Sequence, residues 1–258
     1  MKKIIAIMLA VVLAATSAFV LASCGSESDT KSDSDSASKG ELHMATNAFF
    51  EPYEYYEGDK VVGIDAEIAK AICDKMGYEL VIDDMDFDSI ITAVTSGKAD
   101  FGMAGMTVTD ERKESVDFTD SYTTATQVII VKEGSDKVKN ADDLEKASIG
   151  VQLGTTGDIY VSDFKDAKIE RYNKGGDAVL ALASDKIDAV VIDSEPAKAF
   201  VAANEGLEIL EEPFADEDYA ICTAKDSELT EKINDALKEL KEDGTVQKII
   251  DKYIGDGE

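Results

Sequence analysis

Arg112 ends the most informative stretch of the sequence, which reads A-G-M-T-V-T-D-E-R over residues 104–112. The stretch follows a short apolar run, leaves the backbone bare at Gly105 and offers hydroxyls at Thr107 and Thr109. A guanidinium can bind a carboxylate through two parallel hydrogen bonds, so Arg112 is a candidate anion-binding residue. The alternative is a surface arginine paired with a neighbouring acid, and these residues alone leave both interpretations open.

A second candidate is the run G-V-Q-L-G-T-T-G-D over residues 150–158. Here an apolar strand leads into a turn of small residues that opens a helix, and free backbone N–H groups at such a helix start suit an anionic group. The run contains neither G-x-G-x-x-G nor a P-loop lysine, so it is not typical of nucleotide binding. Many α/β turns share this pattern, and it is weak by itself.

Asp193 follows the apolar run 189–192 and precedes a helical pattern. The commoner role of an aspartate there is to cap the helix. The functional alternative is a counter-ion for a ligand ammonium group.

Aromatic residues follow two predicted strands, Phe50 in N-A-F-F-E-P-Y (47–53) and Phe87 in M-D-F (85–87). Such residues either belong to the core or clamp an apolar or planar side chain in a cleft. A carboxylate grip, an ammonium counter-ion and aromatic walls together complement a free α-amino acid.

The order of the elements predicts how these residues are brought together. Strands are predicted at 41–46, 78–82, 101–104, 127–131, 148–151, 168–172, 189–192, 207–210 and 219–223, and helices at 65–76, 86–97, 109–114, 155–164, 177–184, 194–204, 227–242 and 245–253. This alternation predicts an α/β fold with two lobes, each a mostly parallel sheet covered by helices. Ligands of open α/β sheets bind at the carboxyl ends of strands, so we expect a site in the cleft between the lobes.

The N-terminus has the pattern of an exported lipoprotein. Two lysines precede an apolar run over 4–21, which ends in L-A-S-C at Cys24. This predicts a signal peptide over residues 1–23. Cys24 would then carry the lipid, such as a diacylglycerol thioether with an acylated amino group, and anchor the chain to the cell membrane on its extracytoplasmic side. Residues 24–39 are expected to be a flexible tether, and the alternative to a lipoprotein is an uncleaved transmembrane helix.

The composition argues against nucleic acid as a partner. The chain has 54 acidic and 26 basic residues and a formal net charge of −28, which falls by two, to −30, when the signal peptide with its two lysines is removed. A chain this acidic is repelled by nucleic acid and by anionic bilayers.

The remaining residues of reactive type predict no metal site. Cys73 and Cys222 are expected to be buried free thiols, with a disulfide as the alternative that export permits. His43 is the sole histidine and lies in a predicted strand without a spaced partner ligand.

From Gly40 onward the chain resembles the polar amino-acid-binding proteins of ABC importers, solute-binding protein family 3, such as the glutamine, histidine and lysine/arginine/ornithine receptors. The motifs that carry this resemblance are A-T-N (45–47), P-Y-E-Y (52–55), G-I-D (63–65), M-D-F (85–87), the run 104–112 and V-D-F-T (116–119). They stand in the family's order and spacing and cover essentially the whole mature globular chain. The resemblance implies a two-lobed periplasmic-binding-protein-like fold, an amino-acid ligand, an ABC permease as partner, a monomer and no cofactor.

The resemblance also implies roles at the two charged ends of the ligand. Arg112 would bind the ligand α-carboxylate, together with the backbone N–H groups of Thr107 and Thr156. The carbonyl of Gly105, the hydroxyl of Thr107 and the carboxylate of Asp193 would hold the α-ammonium.

The ligand side chain would lie between Phe50 and Phe87, with Asn47 near its far end. Family members that prefer basic side chains or glutamine commonly carry aspartate where this chain has Asn47. A neutral amide offsets a buried cation poorly, so we expect a polar or neutral amino acid rather than lysine or arginine.

By the same resemblance, lobe 1 would be discontinuous and comprise residues 40–124 and 217–258, with lobe 2 at 125–216. The chain would cross between the lobes near 122–126 and 214–219. Closing the lobes on a ligand would present a shape that a permease can distinguish.

Two other functions fit the same scaffold. A secreted dehydratase is disfavoured because the sequence places no carboxylate pair and no Ser/Cys-His set in the cleft, and His43 alone provides poorly for general base chemistry. We therefore expect a binding protein and not an enzyme. The other alternative is a sensor that docks to a chemoreceptor.

Overall fold

The computed structural model describes residues 38–255, in which two sheets are flanked by helices. The strands are β1 (Glu41–Thr46), β2 (Phe49–Phe50), β3 (Glu54–Glu57), β4 (Lys60–Val62), β5 (Glu79–Asp84), β6 (Phe101–Gly102), β7 (Val116–Phe118), β8 (Thr123–Lys132), β9 (Ser148–Gln152), β10 (Lys168–Tyr172), β11 (Ala189–Asp193), β12 (Leu207–Ile209), β13 (Ala215–Tyr219) and β14 (Cys222–Ala224). The α-helices are α1 (Ile64–Met76), α2 (Ile90–Thr95), α3 (Asp110–Ser115), α4 (Thr156–Val161), α5 (Gly175–Ala183), α6 (Ser194–Ala203), α7 (Glu228–Glu242) and α8 (Thr245–Ile254). Short 3-10 helices form at Phe87–Ser89 and Ala141–Lys146.

The first sheet has the strand order β5-β1-β6-β14-β7. β1 pairs in parallel with β5 and β6, whereas β14 pairs antiparallel with both β6 and β7. Because β1 and β6 are parallel, the loops that follow them leave the same edge of the sheet. These loops carry Asn47 and Gly105.

The second sheet has the strand order β10-β9-β11-β8-β12, and β13 also pairs with β8. β9, β10 and β11 are parallel, whereas β8 is antiparallel to β11, β12 and β13. β9 ends at Gln152 and β11 at Asp193, so these two residues lie at one edge of this sheet. The expectation of mostly parallel sheets is therefore wrong for about half of the strand pairs.

The chain passes between the sheets along the neighbouring strands β8 and β13, which pair antiparallel from Thr123↔Tyr219 to Gln127↔Ala215. After Tyr219 the chain returns to the first sheet as β14. A single predicted strand over 219–223 is wrong, because Ala220 and Ile221 lie where the chain changes sheet. The molecule thus has two lobes joined by a two-stranded hinge. The lobe boundaries 40–124 with 217–258, and 125–216, stay a prediction.

A three-stranded hairpin layer, β2-β3-β4, was not expected from the sequence. It is docked onto the start of α1, where the amide N–H of Asp65 donates to the carbonyl of Tyr53 at 2.9 Å. Gly63 makes this contact possible, because a Cβ there would lie 2.3 Å from that carbonyl oxygen. The docking carries Phe50 and Glu54 to the edge of the first sheet.

Only some of the other expectations from the sequence concern residues that the structure describes. Cys73 and Cys222 are buried free thiols, as expected. Across residues 38–255, no helix has the length and apolar character needed to cross a membrane. The predicted signal peptide, Cys24 and most of the predicted tether lie outside the described residues.

Candidate functional site

A small cavity lies where the carboxyl edges of the two sheets face each other. It is lined by Asn47, Phe50, Glu54, Phe87, Ala104, Gly105, Thr107, Arg112, Gln152, Thr155, Thr156 and Asp193. The eight residues that the sequence analysis assigned to a ligand are all in this lining. Their individual roles toward a ligand remain predictions, but the fold brings them to one place.

Arg112 is buried in the wall of the cavity and is 6 % exposed. Thr109 caps α3 by accepting a hydrogen bond from the backbone N–H of Arg112 at 3.1 Å, which fixes where the arginine leaves the helix. The guanidinium donates from Nη1 to the carbonyl of Thr107 at 2.6 Å and from Nη2 to the carbonyl of Gly154 at 3.0 Å. These two bonds leave further N–H donors for an anion.

The positive charge of Arg112 is not used by a neighbouring acid. Within residues 38–255 no carboxylate forms an ion pair with it, and Asp110 pairs with Lys113 at 3.4 Å instead. Burial lowers the pKa of Arg112 from its usual value, yet a guanidinium remains protonated in proteins. The surface ion pair considered from the sequence is therefore absent from the described part, and a buried cation faces the cavity.

The turn between β9 and α4 faces Arg112. Asp158 holds this turn by accepting from the amide N–H of Gly154 at 3.1 Å, and it is held in turn by Nε of Arg171 at 2.8 Å. Thr155 caps α4, and Thr156 is buried beside it. The run 150–158 thus contributes a braced loop of small residues to the cavity wall.

Asp193 also lines the cavity and is buried. It occupies the position before α6 but makes no side-chain capping bond there, so the helix-cap interpretation is wrong. Its Oδ1 instead accepts a hydrogen bond from the hydroxyl of Tyr219. Burial, together with the negative charge of Glu217, raises the pKa of Asp193 to about 7.

Glu217 is a buried acid that the sequence analysis did not single out. It lies on β13, where its Oε2 accepts from the hydroxyl of Thr107 at 2.7 Å and from Nε2 of Gln127 at 3.2 Å. Burial alternates along β13, so that Glu217 and Tyr219 are buried while Asp216 is exposed. A period of two in the sequence of this strand is the signal that could have pointed to Glu217.

Asn47, another residue of the lining, connects the two lobes. Its Nδ2 donates to the carbonyl of Met85 at 2.7 Å, and its Oδ1 accepts from Nε2 of Gln152 at 2.9 Å. Nε2 of Gln152 also donates to the carbonyl of Asn173 at 3.2 Å. The donors of Gln152 are thus occupied, and its Oε1 is left as an acceptor. Gln152 was another residue missed from sequence.

Glu54 and Asp65 form a second pair of buried acids beside the cavity, and only Glu54 lines it. Asp65 accepts from the amide N–H of Gly105 at 2.8 Å and from the hydroxyl of Tyr122 at 2.9 Å. Burial raises the pKa of Asp65 to about 6, and burial with the charge of Asp65 raises the pKa of Glu54 well above its usual range. Among residues 38–255, Oε2 of Glu54 has no hydrogen-bond partner.

Two aromatic side chains, Phe50 and Phe87, contribute to the lining. Phe50 stacks on Tyr53 with ring centroids 5.8 Å apart, and Cζ of Arg112 lies 5.3 Å from the centroid of Phe87. Gly105 has φ +53°, and a Cβ there would lie 2.9 Å from Cε1 of Phe50. A glycine is therefore required for the backbone to come this close to the aromatic wall.

A two-lobed α/β fold with a charged, aromatic-walled cavity between the lobes defines a solute-binding protein of the periplasmic type. The chain belongs to the bacterial extracellular solute-binding proteins, family 3, whose sequence profile matches residues 42–256. Within this family it is an amino-acid-binding extracellular protein.

Three relatives illustrate the similarity. The arginine-binding extracellular protein ArtP of Bacillus subtilis (strain 168) is 39 % identical over 252 residues, which cover 95 % of this chain and 97 % of ArtP. The ABC transporter arginine-binding protein 1 of Escherichia coli (strain K12) is 32 % identical over 221 residues, or 83 % of this chain and 90 % of that protein. The solved structure of an ancestral arginine-binding protein bound to arginine is 43 % identical, covers 84 % of this chain and 99 % of its own, and superposes with a TM-score of 0.81. The solved structure of an ancestral arginine-binding protein bound to glutamine gives a TM-score of 0.80.

Proposed function

We propose that this protein captures a free α-amino acid between its two lobes and delivers it to an ABC importer. The observation that carries the proposal is that a buried cation, Arg112, and a buried acid, Asp193, line one small cavity. An α-amino acid carries opposite charges on one carbon, so it matches two opposite charges held within one cavity. The relatives' names, which refer to arginine and to ABC transport, support the same function.

The α-carboxylate end is assigned to Arg112. Its guanidinium has donors beyond the two that bind the carbonyls of Thr107 and Gly154, and burial strengthens a charge-assisted hydrogen bond. The backbone N–H groups of Thr107 and Thr156 are proposed as further donors. Because Gly154 and Thr156 belong to the second lobe, a carboxylate bound here would hold both lobes together.

The α-ammonium end is assigned to the carbonyl of Gly105, the hydroxyl of Thr107 and the carboxylate of Asp193. An ammonium group has three donors and no acceptor, and these three groups are acceptors. The pKa of Asp193, raised to about 7, is expected to fall when a cation binds beside it.

The side chain is assigned to the part of the cavity lined by Phe50 and Phe87, whose polar lining includes Asn47, Gln152 and Glu54. Oε1 of Gln152 is an acceptor, and the carboxyl of Glu54 becomes one when a cation beside it favours ionisation, so a cationic side chain rich in donors fits best. An arginine guanidinium presents five N–H donors and would lower the pKa of Glu54 on binding. We therefore propose arginine as the leading ligand.

The neutral alternative is a polar amide such as glutamine. It corresponds to the sequence-based expectation of a polar or neutral ligand, which depended on Asn47 alone, and the ancestral relative has been solved with glutamine bound. The two candidates differ in whether Glu54 must ionise, which the Glu54 variant below tests.

The proposal includes attachment to the membrane through a lipid on Cys24 after removal of residues 1–23, with lobe 1 at 40–124 and 217–258 and lobe 2 at 125–216. The sequence pattern L-A-S-C supports the lipid anchor. Mass spectrometry of the N-terminal peptide from cells would show a diacylglycerol-modified Cys24, and an unmodified Met1 or Cys24 would contradict the anchor.

A ligand screen tests the binding function. The full chain, solubilised in mild detergent and freed of carried-over ligand by unfolding and refolding, is heated with each of the twenty amino acids while circular dichroism is recorded. A ligand at a hundred times its Kd adds about 2.7 kcal/mol to the free energy of unfolding, which raises the melting temperature measurably. If no amino acid raises it, the proposed function is wrong.

A further inference from the structure

The hinge strand β13 places Glu217 directly behind a residue of the cavity wall. Glu217 does not line the cavity, but its Oε2 accepts a hydrogen bond from the hydroxyl of Thr107, which does. We propose that Glu217 is a positioning residue that fixes the hydrogen-bond polarity of Thr107 and thereby selects an α-ammonium group. This inference rests on the proposed function and says how the site distinguishes an α-ammonium group from other groups at the α-carbon.

Oε2 of Glu217 accepts hydrogen bonds from two neighbours. The hydroxyl of Thr107 donates to it, with the two oxygens 2.7 Å apart. Nε2 of Gln127 donates to the same oxygen at 3.2 Å. A hydroxyl has a single hydrogen, so the lone pairs of Thr107 that remain for the cavity can only accept.

Backbone contacts hold Thr107 in this position. Thr107 forms a β-bridge with Tyr219, and the amide N–H of Val108 donates to the carbonyl of Asp218 at 3.0 Å. Thr107 and Glu217 are each 5 % exposed, so water competes little for their hydrogen bond. The fold therefore fixes the direction in which the Thr107 hydroxyl donates its hydrogen, and this direction does not change from one ligand to another.

The same face of β13 supports two of the three acceptors assigned to the ammonium, Thr107 and Asp193. Glu217 orients Thr107, and two residues further along Tyr219 donates to Asp193. Because side chains alternate along a strand, Glu217 and Tyr219 point to one side. A ligand with an α-ammonium meets acceptors only, whereas a 2-oxo acid has no donor to offer at this position.

The test compares ligands that differ only at the α-position. Dissociation constants of L-arginine and of its 2-hydroxy analogue are measured by calorimetry for the full chain in detergent and for Glu217→Met. Methionine has no oxygen to accept from the hydroxyl of Thr107, so the hydrogen of that hydroxyl is free to turn toward the ligand ammonium. We expect the Kd of arginine to rise about tenfold or more, and that of the hydroxy analogue to change less than threefold. A loss equal for both ligands, or no loss, would overturn the proposal.

Two further tests separate the mechanism from other effects. Asp218→Asn removes the same charge from an exposed neighbour on β13 and is expected to leave both constants unchanged. In a Thr107→Val background, Glu217→Met is expected not to change the ratio of the two constants further. If Glu217→Met still lowers that ratio in this background, Glu217 acts by another route and the proposal is wrong.

Glu217→Asp keeps the charge but withdraws the oxygen from Thr107. It also replaces Glu217→Met in the test if that variant shows no cooperative melting transition. We expect it to lower the preference for arginine over the hydroxy analogue. A wild-type preference in Glu217→Asp would mean that charge alone matters, contrary to the proposal. If the unmodified protein binds no amino acid at all, the proposed function fails, and that outcome is distinct from a failure of the Glu217 variants.

Discussion

Nη2 of Arg112, from the first lobe, donates to the carbonyl oxygen of Gly154, from the second lobe, at 3.0 Å. The arginine that is assigned to the ligand carboxylate therefore also touches the opposite wall of the cleft. In the proposed function, ligand binding and lobe closure therefore depend on one side chain. A change at Arg112 is expected to affect both the affinity and the closed state.

Arg112→Lys keeps the positive charge but removes the planar fork of donors. We expect the Kd of the amino acid to rise by about 10- to 100-fold, because one ammonium cannot bind two carbonyls and a carboxylate in the same geometry. Isothermal calorimetry measures the change. The matched control is Arg171→Lys, which alters a partly exposed ion pair with Asp158 outside the cavity lining and is expected to change the Kd less than threefold. Equal effects of the two variants would contradict the assignment.

Binding is expected to strengthen as the pH rises toward 7. The pKa of Asp193 is raised to about 7 in the free protein, and the ligand ammonium requires its ionised form. Below pH 7 binding must therefore release a proton, and the Kd is expected to be about tenfold larger at pH 6 than at pH 8. Calorimetry at pH 6 in buffers of different ionisation enthalpy counts the released proton.

The control for this pH dependence is Asp193→Asn. We expect this variant to bind the amino acid more weakly and to show a smaller change in Kd between pH 6 and pH 8. Glu54 and Asp65 also have raised pKa values, and the pKa of Asp65 is about 6. An affinity that is flat between pH 6 and 8, or a slope that is the same in Asp193→Asn, would show that Asp193 does not bind the ammonium.

Glu54→Gln is expected to change which amino acid is preferred. The variant cannot ionise, so we expect the Kd of arginine to rise about tenfold while that of glutamine changes less than threefold. Competition binding with radiolabelled ligand gives both constants. Glu57→Gln, an exposed neighbour on β3, is the control. If Glu54→Gln leaves arginine affinity unchanged, Glu54 is not the partner of the ligand side chain.

Gly63→Ala is expected to destabilise the fold by about 3 kcal/mol, because the new Cβ would lie 2.3 Å from the carbonyl oxygen of Tyr53. Gly58 also has a positive φ, +63°, but a Cβ there has no atom within 4 Å. Gly58→Ala is therefore expected to cost only about 1 kcal/mol. Urea unfolding followed by circular dichroism compares the two, and equal losses would rule out the close contact.

The residues at strand ends could be predicted from the sequence because element order decides which edge of a sheet they reach. Asn47, Gly105 and Asp193 each follow a predicted strand, and each lies at the cavity. The helical cap at Thr109 likewise fixed the place of Arg112. Local patterns and parallel topology are sufficient for such positions.

Glu217, Gln152 and Glu54 could not be assigned because their roles depend on pairing across the molecule. Glu217 lies in the run A-D-E-D-Y, which is typical of a solvated surface, and it is buried only because β13 pairs with β8. The break between β13 and β14 has the same origin, since the chain changes sheet there. Glu54 reaches the cavity through the docking of the β2–β4 hairpin, which no periodicity indicated.

The most direct test of α-amino-acid binding is a calorimetric titration of the ligand-free full chain with L-arginine, L-glutamine and agmatine. Agmatine has the guanidinium of arginine but lacks the α-carboxylate. We expect L-arginine to bind, and L-glutamine to bind more weakly as the neutral ligand. Agmatine is expected to bind at least a hundredfold less tightly than L-arginine, because Arg112 would have no anion to bind. Agmatine binding as tightly as arginine, or the absence of binding by either amino acid, would contradict an α-amino-acid receptor.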